Sequence, residues 1–274
     1  MTTTLRPTEP LQRSADGQLS RHYQVCVNSR PVGAANLSTH PDFGPEVARL
    51  DGLRIAERER RRGRGTVAVL AAEEVARGWG CRRIEASIPA EAEPALRLAA
   101  ALGYLERNRG MSKPLPGPAP ALPEGTTARP MTPAEFGPWQ ETERAEYAQD
   151  WISRGVSAET AHRKARQDHE QFLPHGLDTE DALISVLEHR GEPVGTLWLR
   201  LRREDAFVLN VEVAASRRGE GHGRSLLRLA EAQTLAADRD RIGLNVFTAN
   251  TPALRLYQSL GYHPTRHHYT KDLI

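Results

Sequence analysis

The stretch "SRRGEGHGRSLL", residues 216–227, places glycine at alternate positions immediately before an apolar helical pattern. The three glycines are Gly219, Gly221 and Gly223. Glycine after a strand and at the start of a helix allows the backbone to turn with its N–H groups facing outward. The N-terminus of the helix adds a partial positive charge. The stretch therefore predicts a cradle for phosphate or pyrophosphate, with a tight turn that binds no ligand as the alternative.

Two nucleotide-binding motifs are absent from this loop. It lacks the Gly-Lys-Ser/Thr ending of a P-loop, which argues against hydrolysis of nucleoside triphosphates. It also lacks the G-x-G-x-x-G spacing of a dinucleotide fold. The loop by itself thus indicates an anion without naming its carrier.

A second copy of the glycine pattern, "RERRRGRGTVAVL", occupies residues 58–70. The shared pattern R-x-x-G-x-G begins at Arg60 and at Arg218, an offset of 158 residues (218 − 60). The same offset relates the word "PALRL" at 94–98 to 252–256, and it also relates two Leu-Gly-Tyr triplets. Such agreement without gaps indicates an internal duplication whose copies are domain-sized, unlike the short period of a solenoid.

A proline-rich segment, "PLPGPAPALPEGTTARP", separates the copies at residues 114–130. Proline fixes φ and cannot donate to a strand ladder, so the segment reads as an extended, semi-rigid linker. We therefore expect one domain at residues 1–113 and a second at 131–274. The second begins with an extra segment, 131–172, predicted as two helices broken near Gly155 and with Ser157 capping the second helix.

The second half shows a defined order of predicted elements, and the first half repeats its hairpin and its glycine loop. A hairpin and a third strand precede the glycine loop and its helix, and then come a strand, a short helix and a final strand. In the second half, these segments are residues 182–201, 206–214, 225–237, 242–247, 253–262 and 267–273. In the first half, the hairpin is residues 22–38.

Composition narrows the class of protein. Of 274 residues, 39% are hydrophobic and 26% charged, as in a globular protein, and the net charge of +2 argues against nucleic acid as a partner.

Cys26 and Cys81 have no metal-like spacing and are expected to be buried thiols. Because no secretory signal and no apolar run of about 18 residues occurs, we expect a cytoplasmic location without a membrane span. The histidines follow no metal-binding pattern, so no metal is expected.

The second half also carries a family resemblance. The segments "NVEVAASRRGEGHGRSLL" (210–227) and "LNVFTANTPALRLYQSLGY" (244–262) resemble the GNAT superfamily of acetyl-CoA-dependent N-acetyltransferases, and a bacterial subgroup in particular. The upstream words "FLPHGLDT" and "VGTLW" add to the likeness, which covers most of residues 131–274. It implies an α/β fold of the α+β type. We therefore expect two tandem GNAT-like domains, each a mostly antiparallel mixed sheet flanked by helices.

The resemblance implies acetyl-CoA as the cofactor and assigns residues to it. Val211 and Val213 would pair through their backbone with the pantetheine arm, and Asn250 matches a cofactor-side asparagine. Tyr257 matches a tyrosine near the thioester sulfur. The pyrophosphate loop would consist of Arg218, Gly219, Glu220, Gly221, His222, Gly223 and Arg224, with the His222 side chain facing phosphate or solvent.

The same resemblance suggests two catalytic groups. Tyr257 would act as the acid, since a phenol with a pKa near 10 can protonate a thiolate whose thiol pKa is about 8.5. Glu212 would accept the proton of the amine. Both groups have an alternative role, Tyr257 as a core aromatic and Glu212 as the polar face of a strand, and the alternative role of Asn250 is that of a turn residue. Asn210 departs from the subgroup, which tends to have Asp at that position.

The first half has lost most of these groups. Its loop is intact at Arg60, Gly63 and Gly65, but the offset places Ala99 at the tyrosine, Ala92 at the asparagine and Arg54 at the glutamate. We therefore interpret residues 1–113 as a degenerate GNAT-like domain with a structural or supporting role. Whether it binds CoA is left open.

These observations predict an N-acetyltransferase that acts on a primary amine of a small molecule or peptide, with catalysis in residues 131–274. A non-catalytic acyl-CoA-binding or sensing protein is the alternative, and an arginine-driven nucleic-acid binder is a weaker third hypothesis. Residues 150–178 and 200–206 are expected to shape the acceptor pocket. The identity of the acceptor stays open, and a homo-oligomer is one option for the assembly.

Overall fold

The computed structural model describes residues 2–273, which fall into two units. Unit 1 comprises the residues up to Arg109 together with those from Thr265 onward, and unit 2 is Gly110–Pro264. Each unit contains one mixed sheet with helices packed on it. The predicted fold of two tandem domains of the α+β type is confirmed.

Unit 1 is built mainly from the first repeat. Its elements in chain order are β1 (Thr3–Pro7), β2 (Gln12–Arg13), β3 (Leu19–Val27), β4 (Arg30–His40), β5 (Gly44–Ile55), α1 (Arg64–Gly78), β6 (Arg83–Pro89), α2 (Glu93–Ala101) and the first part of β7 (Leu105–Pro114).

Unit 2 takes the end of β7 and most of the second repeat. Its further elements are β8 (Thr126–Pro130), α3 (Pro133–Ile152), α4 (Ala158–Phe172), β9 (Ala182–His189), β10 (Glu192–Leu201), β11 (Ala206–Val213), α5 (His222–Ala236), β12 (Arg241–Phe247), α6 (Thr251–Ser259) and the start of β13 (His263–Asp272).

The two sheets share one plan. The strand order is β1-β3-β4-β5-β6-β13 in unit 1 and β7-β12-β11-β10-β9-β8 in unit 2, with β2 paired to β3. In unit 1 the β5–β6 pair is parallel, and in unit 2 the β11–β12 pair is parallel. The neighbouring hairpins are antiparallel, which confirms the predicted mostly antiparallel mixed sheet.

Each repeat contributes its last strand to the unit formed by the other repeat. Leu115 is buried in the core of unit 2, and its N–H donates to the carbonyl of Asp240 at 2.7 Å. Leu273 is buried in the core of unit 1, and its N–H donates to the carbonyl of Arg82 at 2.7 Å. Because both pairs are related by the 158-residue offset, the exchange is symmetric in sequence. The units therefore do not coincide with the repeats whose boundaries were placed at residues 113 and 131.

The proline-rich segment between the repeats belongs to unit 2, and its two ends pack or pair with that unit instead of forming a free linker. Leu115 is buried at its start, and β8 at its end pairs antiparallel with β9. Pro130 ends β8, and this strand lies at the edge of the sheet, where the missing N–H of proline is tolerated.

The two faces of the unit 2 sheet carry different helices. Leu197 and Leu199 pack with Leu226 and Leu227 of α5. Trp198, between them in β10, packs instead with residues of β9 and with Phe172 and Leu173 at the end of α4. This alternation is what the pleat of a strand dictates. The α3–α4 pair therefore covers one face, and α5 with α6 covers the other.

The helical pair agrees with the sequence prediction. The chain breaks at Gly155, whose φ is +81°, between α3 and α4. The Thr160 N–H donates to Ser157 Oγ at 3.2 Å, so Ser157 caps α4 as predicted. Thr132 and Glu135 form a further capping box at the start of α3, where the Thr132 N–H donates to Glu135 Oε2 at 2.9 Å.

Two further expectations concern thiols and membranes. Cys26 and Cys81 are both buried and unbridged, as predicted. None of the helices within residues 2–273 combines the length and the apolar character needed to cross a bilayer.

Candidate active site

The glycine turn before α5 has a backbone that other residues rarely adopt. Gly219 and Gly221 have φ angles of +87° and +89°, and Gly221 occupies the left-handed cap position of α5. A Cβ on Gly223 would lie 3.2 Å from Leu256 Cδ2, so the absence of a side chain permits close packing of α5 on α6. The turn thus presents the first N–H groups of α5, which have no partner inside the helix, at its N-terminus.

Strands β11 and β12 pair only over Ala206–Val208 and Ile242–Leu244 among the described residues. Beyond this point, residues of both strands line a cavity of about 300 Å³. The edge of β11 that faces β12 therefore has no ladder partner in β12 from Leu209 onward. Backbone groups exposed in this way can bond an extended, amide-containing ligand.

Tyr257 of α6 lines this cavity, together with Val211 and Asn250. Its side chain is buried, and burial raises its pKa to about 12. The phenol therefore keeps its proton at neutral pH. The ring of Tyr262 lies 6.0 Å from that of Tyr257.

Asn250 has a structural function that can be seen directly. Its Oδ1 accepts a hydrogen bond from the Ala253 N–H at 3.2 Å and so caps α6. This is the turn-shaping role that sequence analysis left as an alternative. Its contact with the cofactor stays a prediction.

The charged side chains of the turn bind mainly to the protein. Arg218 Nε donates to the Val213 carbonyl at 3.2 Å, and Arg224 Nη2 donates to Ser259 Oγ at 2.8 Å. An anion at this turn would therefore be bound chiefly by backbone N–H groups, with Arg218 holding the turn against the end of β11.

Two other residues of the turn interact with each other. Glu220 pairs with Arg217 at 3.0 Å, and its Oε2 lies 3.2 Å from His222 Nε2. The expectation that the His222 side chain faces phosphate or solvent is wrong, because this side chain is buried and its ring lies 5.3 Å from that of His189. Only the backbone of His222 stays a candidate for phosphate binding.

Glu212 lies on β11 between the two valines. It borders a neighbouring cavity of about 300 Å³ together with Trp139 and Thr196, and it is not among the residues that line the cavity of Tyr257. Burial raises the pKa of the Glu212 carboxyl above its usual range, and the nearby carboxylate of Glu146 raises it further. A carboxylate with a raised pKa is a better proton acceptor than an exposed one.

Sequence analysis did not identify the acidic and aromatic face of α3. Glu143, Glu146, Tyr147, Asp150 and Trp151 all line the cavity of Tyr257. Their spacing of three, four, seven and eight residues places them on one face of a helix, which was a readable signal. Residues 150–178 thus contribute to the cavity, whereas none of residues 200–206 lines it.

Glu143 organises a buried polar network behind the cavity. Glu143 Oε2 bonds to His169 Nε2, and its Oε1 accepts a hydrogen bond from Asn210 Nδ2 at 3.1 Å. An aspartate at position 210 could not donate this bond and would place a second negative charge beside Glu143. The amide at Asn210, which departs from the resembling subgroup, thus matches the carboxylate on α3.

Unit 1 has the same construction without the polar groups. Gly63, with a φ of +71°, caps α1, and a Cβ on Gly65 would lie 3.3 Å from Leu98 Cδ2. The β5–β6 pair ends at Leu50 and Ala86, and a cavity of about 440 Å³ opens beyond it. Its lining includes Arg54, Ala92 and Ala99, the residues that replace Glu212, Asn250 and Tyr257.

No cluster of His, Cys, Asp and Glu suited to a metal ion occurs within the part of the chain that the structure describes.

Comparison with known proteins identifies this arrangement. A model of the acetyltransferase (GNAT) family matches residues 2–104 and 138–262. The match covers most of the chain in two segments, one in each repeat. The chain therefore belongs to the acetyltransferase (GNAT) family, and it is an N-acetyltransferase.

Similar proteins include two mycothiol acetyltransferases. The one from Thermobispora bispora is 32% identical over 192 residues, covering 61% of this chain and 58% of that protein. The one from Thermomonospora curvata is 29% identical over 234 residues, covering 81% of this chain and 73% of that protein. An uncharacterised N-acetyltransferase of Bacillus subtilis, YdgE, is 28% identical over 153 residues, 54% of this chain and 98% of that protein.

Solved structures show the same fold. A GCN5-related N-acetyltransferase from Sphaerobacter thermophilus superposes with a TM-score of 0.61 at 23% identity, covering 92% of this chain and 80% of that one. A tandem GNAT protein from the clavulanic acid biosynthesis pathway superposes with a TM-score of 0.53 at 21% identity, covering 94% and 84% of the two chains.

Proposed function

We propose that this protein transfers an acetyl group from acetyl-CoA to a primary amine and that unit 2 carries out the reaction. The observation that supports this most strongly is the position of Tyr257. Its phenol lies on the cavity that opens where β11 and β12 separate, and the turn at Gly219–Gly223 follows the same strand. The equivalent position in unit 1 is Ala99, which has no proton to give.

The cofactor supplies an acetyl group activated as a thioester. The N–H groups of the turn, from Arg218 to Gly223, would bind the diphosphate because they lie at the N-terminus of α5, whereas the Arg224 N–H donates to the Gly221 carbonyl at 3.0 Å. The backbone of Val211 and Val213 would bond to the pantetheine amides, as the unpaired edge of β11 allows. A strand N–H directed at the acetyl oxygen would stabilise the charge that develops there.

Two side chains would move protons. Tyr257, with its pKa raised to about 12, would hold its proton until the thiolate leaves, and then donate it. Glu212 would accept the proton of the attacking amine through water, because it borders the neighbouring cavity rather than that of Tyr257. Its raised pKa brings its basicity closer to that of the amine.

Unit 1 would support the reaction without performing it, since Ala99 and Arg54 replace both proton-transfer groups. The alternative of a non-catalytic acyl-CoA sensor has no support among the similar proteins. Two relatives are named for mycothiol, which favours a small-molecule acceptor over a protein.

Tyr257→Phe tests the proposal. The variant is expected to lower kcat by about 10²–10⁴-fold, the range of general-acid catalysis, while the Kd for acetyl-CoA stays within about twofold. Turnover is followed by release of the CoA thiol with a panel of amines, and binding is followed by calorimetry.

Tyr262→Phe is the matched control. Tyr262 is also a buried tyrosine of unit 2, but it does not line the cavity, so its variant should retain kcat. Equal turnover of Tyr257→Phe and the parent protein would remove Tyr257 as the acid. Failure of the parent protein to release CoA with any amine would overturn the proposed function.

A further inference from the structure

The cavity of Tyr257 has a one-sided charge. Four carboxylates are among its lining residues, whereas no lysine or arginine is. Three of them come from α3, namely Glu143, Glu146 and Asp150, and Asp168 comes from α4. Both helices belong to the segment that only the second repeat contains. The excess of negative charge is therefore a property of unit 2 and not of the duplicated framework.

Two of these carboxylates are neutralised within the protein. Asp168 Oδ2 lies 3.0 Å from Lys164 Nζ and accepts a hydrogen bond from Tyr147 Oη at 2.9 Å. Asp150 Oδ1 lies 3.2 Å from Arg154 Nη1. These two groups require no additional cation.

Glu146 is the member of this group that has no partner of its own within residues 2–273. Glu143 bonds to His169 and Asn210, neither of which is a permanent cation. Glu146 is exposed, and its carboxylate makes no ion pair with any residue from 2 to 273. Glu146 and Glu143 both raise the pKa of the Glu212 carboxyl, so the three negative charges lie close enough to repel one another, and the guanidinium of Arg218 offsets part of this repulsion at Glu212.

A substrate relieves the repulsion among these carboxylates throughout the reaction only if it carries a positive charge that is not lost in the chemical step. The attacking nitrogen must be neutral, so its own charge is lost before the N–C bond forms. A second ammonium elsewhere in the acceptor keeps its charge and can stay beside Glu146. The aromatic side chains of Tyr147, Trp151 and Phe247 line the same cavity, and they suit contact with the aliphatic chain of an acceptor.

We propose that the acceptor is a short aliphatic diamine or polyamine, with one primary amine directed at the thioester and a second ammonium held by Glu146. This inference rests on the proposed function and specifies its acceptor. The cavity of about 300 Å³ would also have to hold the thioester end of the cofactor, so the space left over suits an acceptor of only a few carbons.

The attacking ammonium first gives one proton to solvent and becomes a neutral amine. Its nitrogen then forms a bond to the acetyl carbon, and the bond from that carbon to sulfur breaks. Glu212 takes the second proton that the nitrogen releases, Tyr257 gives a proton to the departing sulfur, and proton exchange with solvent afterwards restores both side chains. The second ammonium is unchanged, and the products are the monoacetylated diamine and CoA.

The test compares three acceptors of similar length: 1,4-diaminobutane, butylamine and 4-aminobutanoate. The diamine is expected to show a kcat/KM at least tenfold higher than that of butylamine, and 4-aminobutanoate the lowest of the three.

Glu146→Gln should reduce the ratio of the kcat/KM for the diamine to that for butylamine about tenfold. Glu141→Gln, an exposed glutamate of α3 that does not line the cavity, should leave the ratio as it is.

Equal kcat/KM for the diamine and butylamine would overturn the inference and leave the proposed function intact. So would equal ratios in the two variants. If no amine is acetylated, the proposed function fails, and calorimetry of 1,4-diaminobutane against the CoA-loaded protein decides the inference separately. Binding that weakens in Glu146→Gln supports the diamine site, and absence of binding to the parent protein refutes it.

Discussion

The ammonium of Lys113 lies 2.7 Å from the carboxylate of Glu231, and Lys271 lies 2.8 Å from Glu73 in the equivalent contact. Both lysines are on the last strand of one repeat, and both glutamates are on the glycine-loop helix of the other. Glu231 and Glu73 are only 4% and 2% exposed. The exchange of strands is therefore fixed by a buried charge pair in each unit.

Removal of one partner should be costly because the other charge stays buried. We expect Lys113→Met to lower the free energy of unfolding by about 2–3 kcal/mol, as for a buried hydrogen-bonded charge. Arg97→Met, which breaks the fully exposed pair of Arg97 with Glu93, should cost less than about 1 kcal/mol. Urea unfolding measures both, and equal losses would contradict the role of the buried pair.

A fragment cut at the repeat boundary should not fold as a stable unit. Residues 131–274 lack Met111 and Leu115, which lie in the core of unit 2, and also lack β8. We expect the fragment to show no cooperative thermal transition by circular dichroism, whereas the full chain shows one. A fragment with a cooperative transition at the same temperature as the full chain would show that the exchanged strand is dispensable.

Gly221→Ala should weaken binding of acetyl-CoA. With a φ of +89°, the position costs an alanine roughly 1–2 kcal/mol, so the turn would change its conformation and misdirect its N–H groups. The expected result is a rise of about tenfold in the Kd measured by calorimetry. Gly117→Ala is the control, since Gly117 has an ordinary φ and a Cβ there would meet no atom within 4 Å. Similar affinity in both variants would argue against the turn as the diphosphate site.

Glu212→Gln should make the protein more stable but less active. Because the pKa of Glu212 is raised in the folded protein, its ionised form is disfavoured there relative to the unfolded chain. The stability that the Glu212 carboxyl contributes is fully present below the pKa that it has in the unfolded chain. It is lost as the pH rises through the higher pKa that it has in the folded protein. At pH 7 the variant should thus gain up to about 1 kcal/mol, and this gain should vanish near pH 3.

Urea unfolding at the two pH values checks the stability, and release of CoA checks the activity. A variant that is less stable than the parent protein at pH 7 would contradict the assigned repulsion. A variant that is stabilised but fully active would remove Glu212 as the base.

The phenol of Tyr257 should not limit the rate on the alkaline side. Since burial raises its pKa to about 12, it stays protonated up to pH 10. We expect kcat at saturating amine to hold its value between pH 8 and 10. A decline in this range that disappears in Tyr257→Phe would show that the phenol ionises earlier than its burial indicates.

Much of the site follows from local patterns in the chain. Glycine at 219, 221 and 223 predicts the turn because the positive φ angles of the first two favour glycine and because a side chain at the third would crowd Leu256. The capped helical pair and the hairpins are encoded by breakers and periodicity that act over a few residues. The duplication can be read from its constant offset.

The burial of His222 and its packing against His189 could not be predicted in the same way. A histidine between two glycines of a surface turn is expected to be exposed, but its ring is enclosed by a residue that lies more than thirty positions earlier. The acidic face of α3 was readable as a helical stripe, although nothing in its spacing says that it faces Tyr257.

The sequence alone determined the family, the two repeats, the glycine turns and the candidate proton donor, because each depends on residues close together in the chain. The tertiary structure decided which repeat completes which unit, that Asn210 donates a hydrogen bond to Glu143, and that the carboxylate of Glu146 borders the cavity of Tyr257. Those properties arise from side chains that meet across 60 to 200 positions of sequence, as Lys271 meets Glu73 across 198. Local propensity carries no information about such distant partners, since packing and charge pairing select them only in the folded chain.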